Sequence, residues 1–452
     1  MPRLRHIPFM RRLFASLILL LAGAALASAS SATLLLEEPY GKLGFFTATG
    51  HAAVYLSGVC ADTPLVLRHC NPGETGVVIS RYDGVAGYDW MAIPLMPYLY
   101  AVERPEDVPL FADAKMTAFL RDHYRRKYLE DIIPDTKDGG IPGGNWYELV
   151  GSSYDRTIYG FEIETTPEQD DALIQKLNSS RNESHFHLSY RNCADFAKDI
   201  INFYYPKSLH RSVIADVGIT TPKQMAKMLT RYSAHHPQLE FSRIVIPQVP
   251  GSMPRSSAVH GVVDAFFTSK KYIVPSAVVS PIFAGCVFAV YVGTGASHFE
   301  PARNAMVFVV GSDPQTPLDR EDLRAYRHEL KHLLAGTYSR KPGRGVDKNW
   351  ERLQSRAKAT LDANGRPVLE MQVGGDPVQV GASAENVLNG NAPPELVRQL
   401  LEARLASELR GPQHGITETE VARDWKLLQQ SLSDPSIAPR NGRGDNLRGN
   451  AP

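Results

Sequence analysis

Between Lys271 and Glu300 the chain carries no Asp, Glu, Lys or Arg, and the run reads "YIVPSAVVSPIFAGCVFAVYVGTGASHF". A stretch this apolar has two stable settings, a protein interior or a bilayer. It is long enough to cross a hydrocarbon core that takes roughly 20 apolar residues. Pro275, Pro281 and Gly285 weaken it as a soluble helix but are tolerated in membranes. The run therefore predicts a transmembrane helix over 272–293; a pair of buried strands is the alternative. Lys270 and Lys271 precede it and Arg303 is the nearest base after it, so the positive-inside signal is mixed.

The N-terminus narrows the setting. "MPRLRHIPFMRR" holds four arginines and no acid, and the uncharged "LFASLILLLAGAALA" follows. Small residues then offer cleavage after Ala27, Ala29 or Ala32. This order predicts a secretory signal peptide over 1–29, with an uncleaved signal anchor as the alternative; either way the next segment is an exported domain in a compartment that permits disulfides. After a cleaved signal, a transmembrane helix at 272–293 puts the remainder in the cytoplasm.

A chain of 452 residues exceeds one typical core. The expected order is an exported domain over 33–250, a linker over 251–271 rich in Pro, Ser and Gly, the membrane helix, a mixed and mainly helical region over 300–435, and a disordered tail over 436–452. Net charge is +1, from 49 basic and 48 acidic side chains, which argues against nucleic acid as the main partner.

Within the exported part, "GHAAVYL", "LVLRHC" and "VVISRY" read as strands separated by the turns "ADTP" and "NPGETG". "FADAKMTAFLRDHYRRKYL" and "TPEQDDALIQKLN" read as helices, the second capped by Thr166 with Pro167 in its first turn. "DRTIYGFEIET" is a strand between them. In "YRNCADFAKDIINFYYP", Phe196, Ala197, Ile200, Ile201 and Tyr204 fall at helical spacing, and Asn192 is a good N-cap. Cys193 then sits in the first turn, beside unpaired backbone N–H groups and the positive end of the helix dipole. Such a position is expected to lower a thiol's pKa and to supply oxyanion donors.

A thiolate needs a base. His51 follows Gly50 at the start of a strand, and His69 ends the next one. With the turn centred on Asp62-Thr63, His51 lies opposite Glu74 and His69 points to the other face; a one-residue bulge brings His69 to the His51 side. His69 and Glu74 both stand as partners for the base. Cys60 and Cys70 flank the same turn, and their pairing is left open, because tight pairing of "GVC" with "PLV" offsets them.

The set "GHAAVYL … VLRHCNPGE … YRNCADFA" resembles the circularly permuted NlpC-type papain-like families, which include lecithin:retinol acyltransferase-like proteins and bacterial periplasmic relatives. The resemblance covers about residues 39–206. It implies an α+β fold with a small antiparallel sheet and a cysteine-bearing helix, with the histidine preceding the cysteine in the chain. It also implies covalent catalysis without a cofactor. Cys193 is then the nucleophile, His51 the base and His69 or Glu74 its orienter, with Asn192, Ala194 and Tyr190 in oxyanion and positioning roles. The implied function is an exported, membrane-associated hydrolase or acyltransferase acting on a cell-envelope peptide, lipid or lipoprotein through a thioester.

Two other readings compete. The exported domain could be an inert binding or assembly module on the same fold. "HELKH", with His328, Glu329 and His332, matches a zinc-peptidase pattern, with Glu351 as a distant third ligand. The same stretch also reads as a solvated helix with alternating charges.

Overall fold

The structure, a computed structural model, describes residues 30–40, 49–293, 299–335, 350–410 and 415–432, apart from positions 84, 215, 351, 354, 374, 390 and 391. The expected signal peptide 1–29, the expected tail 436–452 and Glu351 lie outside the described residues.

"SSATLLLE" forms the central strand β1 (Ser30–Glu37), buried along nearly its whole length. Leu34 and Leu36 enter one hydrophobic cluster and Leu35 another, as period-2 alternation requires of a strand covered on both faces. β2 (His51–Leu56) and β7 (Ile158–Thr165) flank it, both antiparallel. β5 (Val77–Ser80) and β6 (Met91–Pro94) extend one side, β8 (Ser242–Ile246) and β9 (Met306–Val307) the other. The sheet has seven strands, not the small sheet expected, and only the β8–β9 pair is parallel.

Three amphipathic helices cover one face. α2 (Pro167–Ser179) begins at the Thr166 cap its sequence predicts, which Gln169 completes into a capping box. α3 (Cys193–Tyr204) and α4 (Pro222–Ser233) contribute Ala197, Ile201, Met225 and Leu229 to the same cluster. On the other face α1 (Ala114–Tyr128) packs with material from far downstream, including Leu330, Leu334, Trp350, Leu400 and Leu428.

The strand pairing departs from expectation at Gly58. A Cβ there would lie 2.4 Å from Ser30 Oγ and 2.5 Å from Asp170 Oδ2, so the backbone runs against its neighbours as it leaves the sheet. β3 (Val59–Thr63) and β4 (Val66–His69) then form a separate two-stranded ribbon in which Val59 opposes His69. β2 pairs with β5 instead. Cys60 and Cys70 join in a disulfide across this ribbon, with Cα atoms 4.7 Å apart.

The transmembrane expectation is overturned. The apolar run forms two helices, α6 (Lys270–Val279, 10 residues) and α7 (Pro281–Gly293, 13 residues), preceded by α5 (Val262–Thr268). Ser280 leaves helical geometry at φ −145°, ψ 86°, and Pro281 starts the next helix. Among the described residues, no helix is long and apolar enough to cross a membrane. Connectivity agrees: β8 precedes the run, β9 follows it, and the two lie side by side in one sheet, with Val245 opposite Val307. The region after residue 300 thus shares its core with the part that precedes the run. The expected linker 251–271 is also partly structured, since Ser256 Oγ donates to Glu38 at 2.6 Å and the Val262 N–H donates to Asp216 at 2.8 Å.

Farther on, the helices α8 (Arg320–Ala335), α9 (Pro394–Glu408) and α10 (Glu418–Leu432) form with the hairpin β11 (Pro367–Val373) and β12 (Asp376–Gly381). Strand β10 (Lys358–Leu361) completes a three-stranded sheet with that hairpin.

Candidate active site

Gly50 sets the entrance to β2. Its φ is +71°, and a Cβ there would meet the Glu37 carbonyl oxygen at 2.0 Å, so only glycine lets β2 start this close to β1. His51 follows immediately, paired in register with Glu37 and only 9% exposed.

On the other side of the site, Asn192 caps α3 as its sequence predicts. Its Oδ1 accepts the Asp195 N–H at 3.0 Å, and Asp195 Oδ2 accepts the Asn192 N–H at 3.3 Å. Asn192 Nδ2 also donates to the carbonyls of Leu188 (2.8 Å) and Thr220 (3.0 Å), which fixes the turn before the helix. Asp195 is held in turn by Thr220 and Arg211. Cys193 is the first residue of the helix, and its sulfur faces the backbone N–H groups of Ala52 and Ala194.

Cys193 and His51 line one cleft of about 280 Å³. Asn192, Tyr40, Tyr82, Glu148 and Arg156 share its wall. A second cavity of about 330 Å³, around Arg404 and Glu420, has no Cys, Ser, Thr, His or Lys in its lining.

The orienter of His51 is Ser80, a residue the strand reading missed. His51 Nε2 and Ser80 Oγ are 2.9 Å apart, and Ser80 Oγ donates to the Ala52 carbonyl at 2.8 Å. A hydroxyl has one proton to give. With that proton on Ala52, Ser80 accepts from His51, so Nε2 carries the imidazole proton and Nδ1 is the free base. Tyr82 stacks on the ring, with centroids 5.3 Å apart and planes 21° from parallel. Ser80 ends "VVIS", a strand that was legible; what was missing was that it, and not "LVLRHC", lies beside β2.

The two expected orienters lie elsewhere. His69 sits on the exposed ribbon, 2.6 Å from Asp171. Glu74 is exposed and bound to Arg68 and the Asn71 N–H, and Arg68 holds its carboxyl down at about 2. Neither lines the cleft. Tyr190 is 57% exposed and stacks on His187 in the turn that the His187–Arg191 bridge closes, outside the cleft lining. Ala194 is buried directly after the cysteine.

The electrostatics differ from the helix-dipole expectation. Burial pushes the Cys193 thiol up to about 11; the Ala52 and Ala194 N–H groups oppose this, while Glu148 and Glu37 add to it. Burial, helped by the charge of Arg156, pushes His51 down to about 3. The pair rests as neutral thiol and neutral imidazole. Desolvation outweighs one helix terminus here.

Two cations line the cleft: Arg81, paired with Asp89 at 2.8 Å, and Arg156. Burial works against the charge of Arg156, but Glu37, Tyr40 and Glu148 outweigh burial and hold its pKa above the ordinary value. It lies 3.1 Å from Glu37 Oε2 and 4.4 Å from the centroid of the Tyr40 ring, and its Nε has no hydrogen-bond partner among the described residues. Burial raises Glu37 and Glu148 above the usual carboxylate range, with Arg156 opposing in both cases.

The metal alternative gains little. His328 and His332 lie on the exposed side of α8 with Nε2 atoms 3.1 Å apart. Among the described residues, no third His, Cys, Asp or Glu completes a metal-binding group with them or with Glu329. Comparison with protein-family models, characterised proteins and solved structures finds no match to this chain.

Proposed function

We propose that the cleft performs acyl transfer through a thioester on Cys193, as a cysteine hydrolase or acyltransferase of the permuted NlpC-type papain-like kind. The observation that carries this reading is a cysteine opening a capped helix in the same cleft as a buried histidine whose tautomer Ser80 sets. His51 Nδ1 accepts the thiol proton while Sγ attacks an amide or ester carbonyl carbon. The C–S bond forms, and the carbonyl electrons move onto oxygen. Backbone N–H groups at the start of α3 and at Ala52 are the donors available to that oxyanion. The imidazolium then gives its proton to the departing nitrogen or oxygen. Water, or an acceptor amine or alcohol, attacks the thioester in a second, mirrored step.

Because both partners rest neutral, the mechanism is general-base attack by a thiol and not attack by a standing thiolate–imidazolium pair. The substrate class proposed is a peptide, lipid or lipoprotein of the cell envelope. Support for it comes from the signal-like N-terminus and from a disulfide that implies an oxidising compartment. Arg156 and Glu148 are among the polar side chains of the cleft wall that a substrate would meet. The test is turnover of aryl esters and peptide anilides by the full chain. Loss of turnover in both Cys193→Ala and His51→Ala supports the reading; turnover that survives Cys193→Ala refutes it. The inert-module reading draws on the protonated resting thiol, and it predicts no turnover by the wild type.

A further inference from the structure

Helices α6 and α7 contain no buried residue, yet the run from Tyr272 through Phe299 has no Asp, Glu, Lys or Arg. Val278, Val279 and Ile282 are 78%, 84% and 82% exposed, and Phe283, Phe288 and Val292 are exposed as well. A helix that docks on a protein presents one apolar face and keeps the other polar. This hairpin is apolar all round, and the medium that satisfies every face at once is lipid.

We propose that α6 and α7 form a re-entrant hairpin that dips into one leaflet of a bilayer and returns to the side it came from. Three features fit. The length is too short to span: the longer helix, at 13 residues, reaches about 20 Å, against a hydrocarbon core of ~30 Å. Both ends emerge on one side, because β8 and β9 are adjacent strands of one sheet. The base of the hairpin is built for an interface. Tyr272 and Tyr291 lie there against Phe266 and Phe267 of α5, with ring centroids 6.0 Å and 4.7 Å apart, and Lys270 and Lys271 sit at the same level. Beyond them Phe283 and Phe288 rest half-exposed against Phe266 and Phe267, and Val278, Val279 and Ile282 stand exposed at the tip. Aromatic rings and lysines at the headgroup level with apolar side chains beyond them are the pattern of a membrane-seated element. Val262 of α5 lines the Cys193 cleft, so the hairpin grows from beside the cleft's wall. The inference stands whether or not Cys193 is a nucleophile.

The experiment uses the full chain with Cys193→Ser, which leaves Cys286 in α7 as the free thiol, since Cys60 and Cys70 are joined. Vesicles of phosphatidylcholine and phosphatidylglycerol, roughly three to one, are the probe. The protein is expected to float with the vesicles, and Cys286 is expected to lose its reactivity toward a water-soluble maleimide when they are present. Val279→Asp with Ile282→Asp changes two exposed side chains at the tip and should weaken flotation by more than about tenfold with an unchanged circular-dichroism spectrum. Three results overturn the proposal. One is a chain that stays with the aqueous phase. Another is a double variant that floats like the parent. A dimer in vesicle-free buffer that the double variant dissolves, without flotation, shows a second copy covering the hairpin instead.

Discussion

Replacing His51 with glutamine should flatten the acid side of the stability curve. Glutamine keeps an N–H for Ser80 and removes the titrating ring. In the folded chain His51 protonates only near 3, because burial and Arg156 disfavour its charge, whereas its ordinary value is 6.5. Between those values the unfolded chain binds a proton here and the folded chain does not. Stability contributed at this position is therefore complete above 6.5 and is lost as pH falls toward 3. At about pH 5 the unfolded ring has gained roughly 1.5 pH units of protonation free energy, or about 2 kcal/mol. Urea unfolding followed by circular dichroism, at about pH 7.5 and about pH 5, measures the loss. The other titrating groups cancel between wild type and His51→Gln. Wild type should lose about 2 kcal/mol more than the variant over this interval. Equal losses would refute the claim that His51 is buried as the neutral base.

Three further outcomes follow from the same geometry. The pH profile of kcat/KM should be flat from about pH 5 to about pH 8, since His51 is unprotonated above about 3 and Cys193 keeps its proton to about 11; a limb near pH 6.5 would indicate a solvated histidine instead. Ser80→Ala should lower kcat by roughly ten- to a hundredfold with little change in KM, because Nε2 loses the acceptor that sets the tautomer, while His69→Ala and Glu74→Ala leave turnover unchanged; steady-state kinetics on an ester substrate separates these cases, and an active Ser80→Ala would remove Ser80 from the site. Changing both Cys60 and Cys70 to serine frees a loop of sequence separation 10 and should cost about 3 kcal/mol in denaturant titration with activity retained at low temperature; unchanged stability would mean the ribbon is held by other contacts.

What the sequence made legible was local. The Asn192 cap and the helix from Cys193 depend on contacts three and four residues apart, and the cap at Thr166 likewise. The order of a strand histidine before a helix cysteine was readable for the same reason. Strand adjacency was not. His69 or Ser80 beside His51 depends on which strand lies next to β2, and that turns on Gly58 running against Ser30 and Asp170, residues far apart in the chain. The thiol's direction of shift was misread because the helix dipole is visible in sequence, whereas its burial and the nearby charges of Glu148 and Glu37 are not. The apolar run had the length to span, but Ser280 and Pro281 fold it back, and the pairing of β8 with β9 returns it to its own side.

The central claim is a thioester on Cys193, and peptide mass spectrometry after brief incubation with an activated acyl ester tests it directly. The account predicts one acyl group on the Cys193 peptide, released by hydroxylamine, absent in Cys193→Ala and formed far more slowly in His51→Ala. An acyl group found on another residue in wild type, or on Cys193 at the same rate without His51, would contradict it.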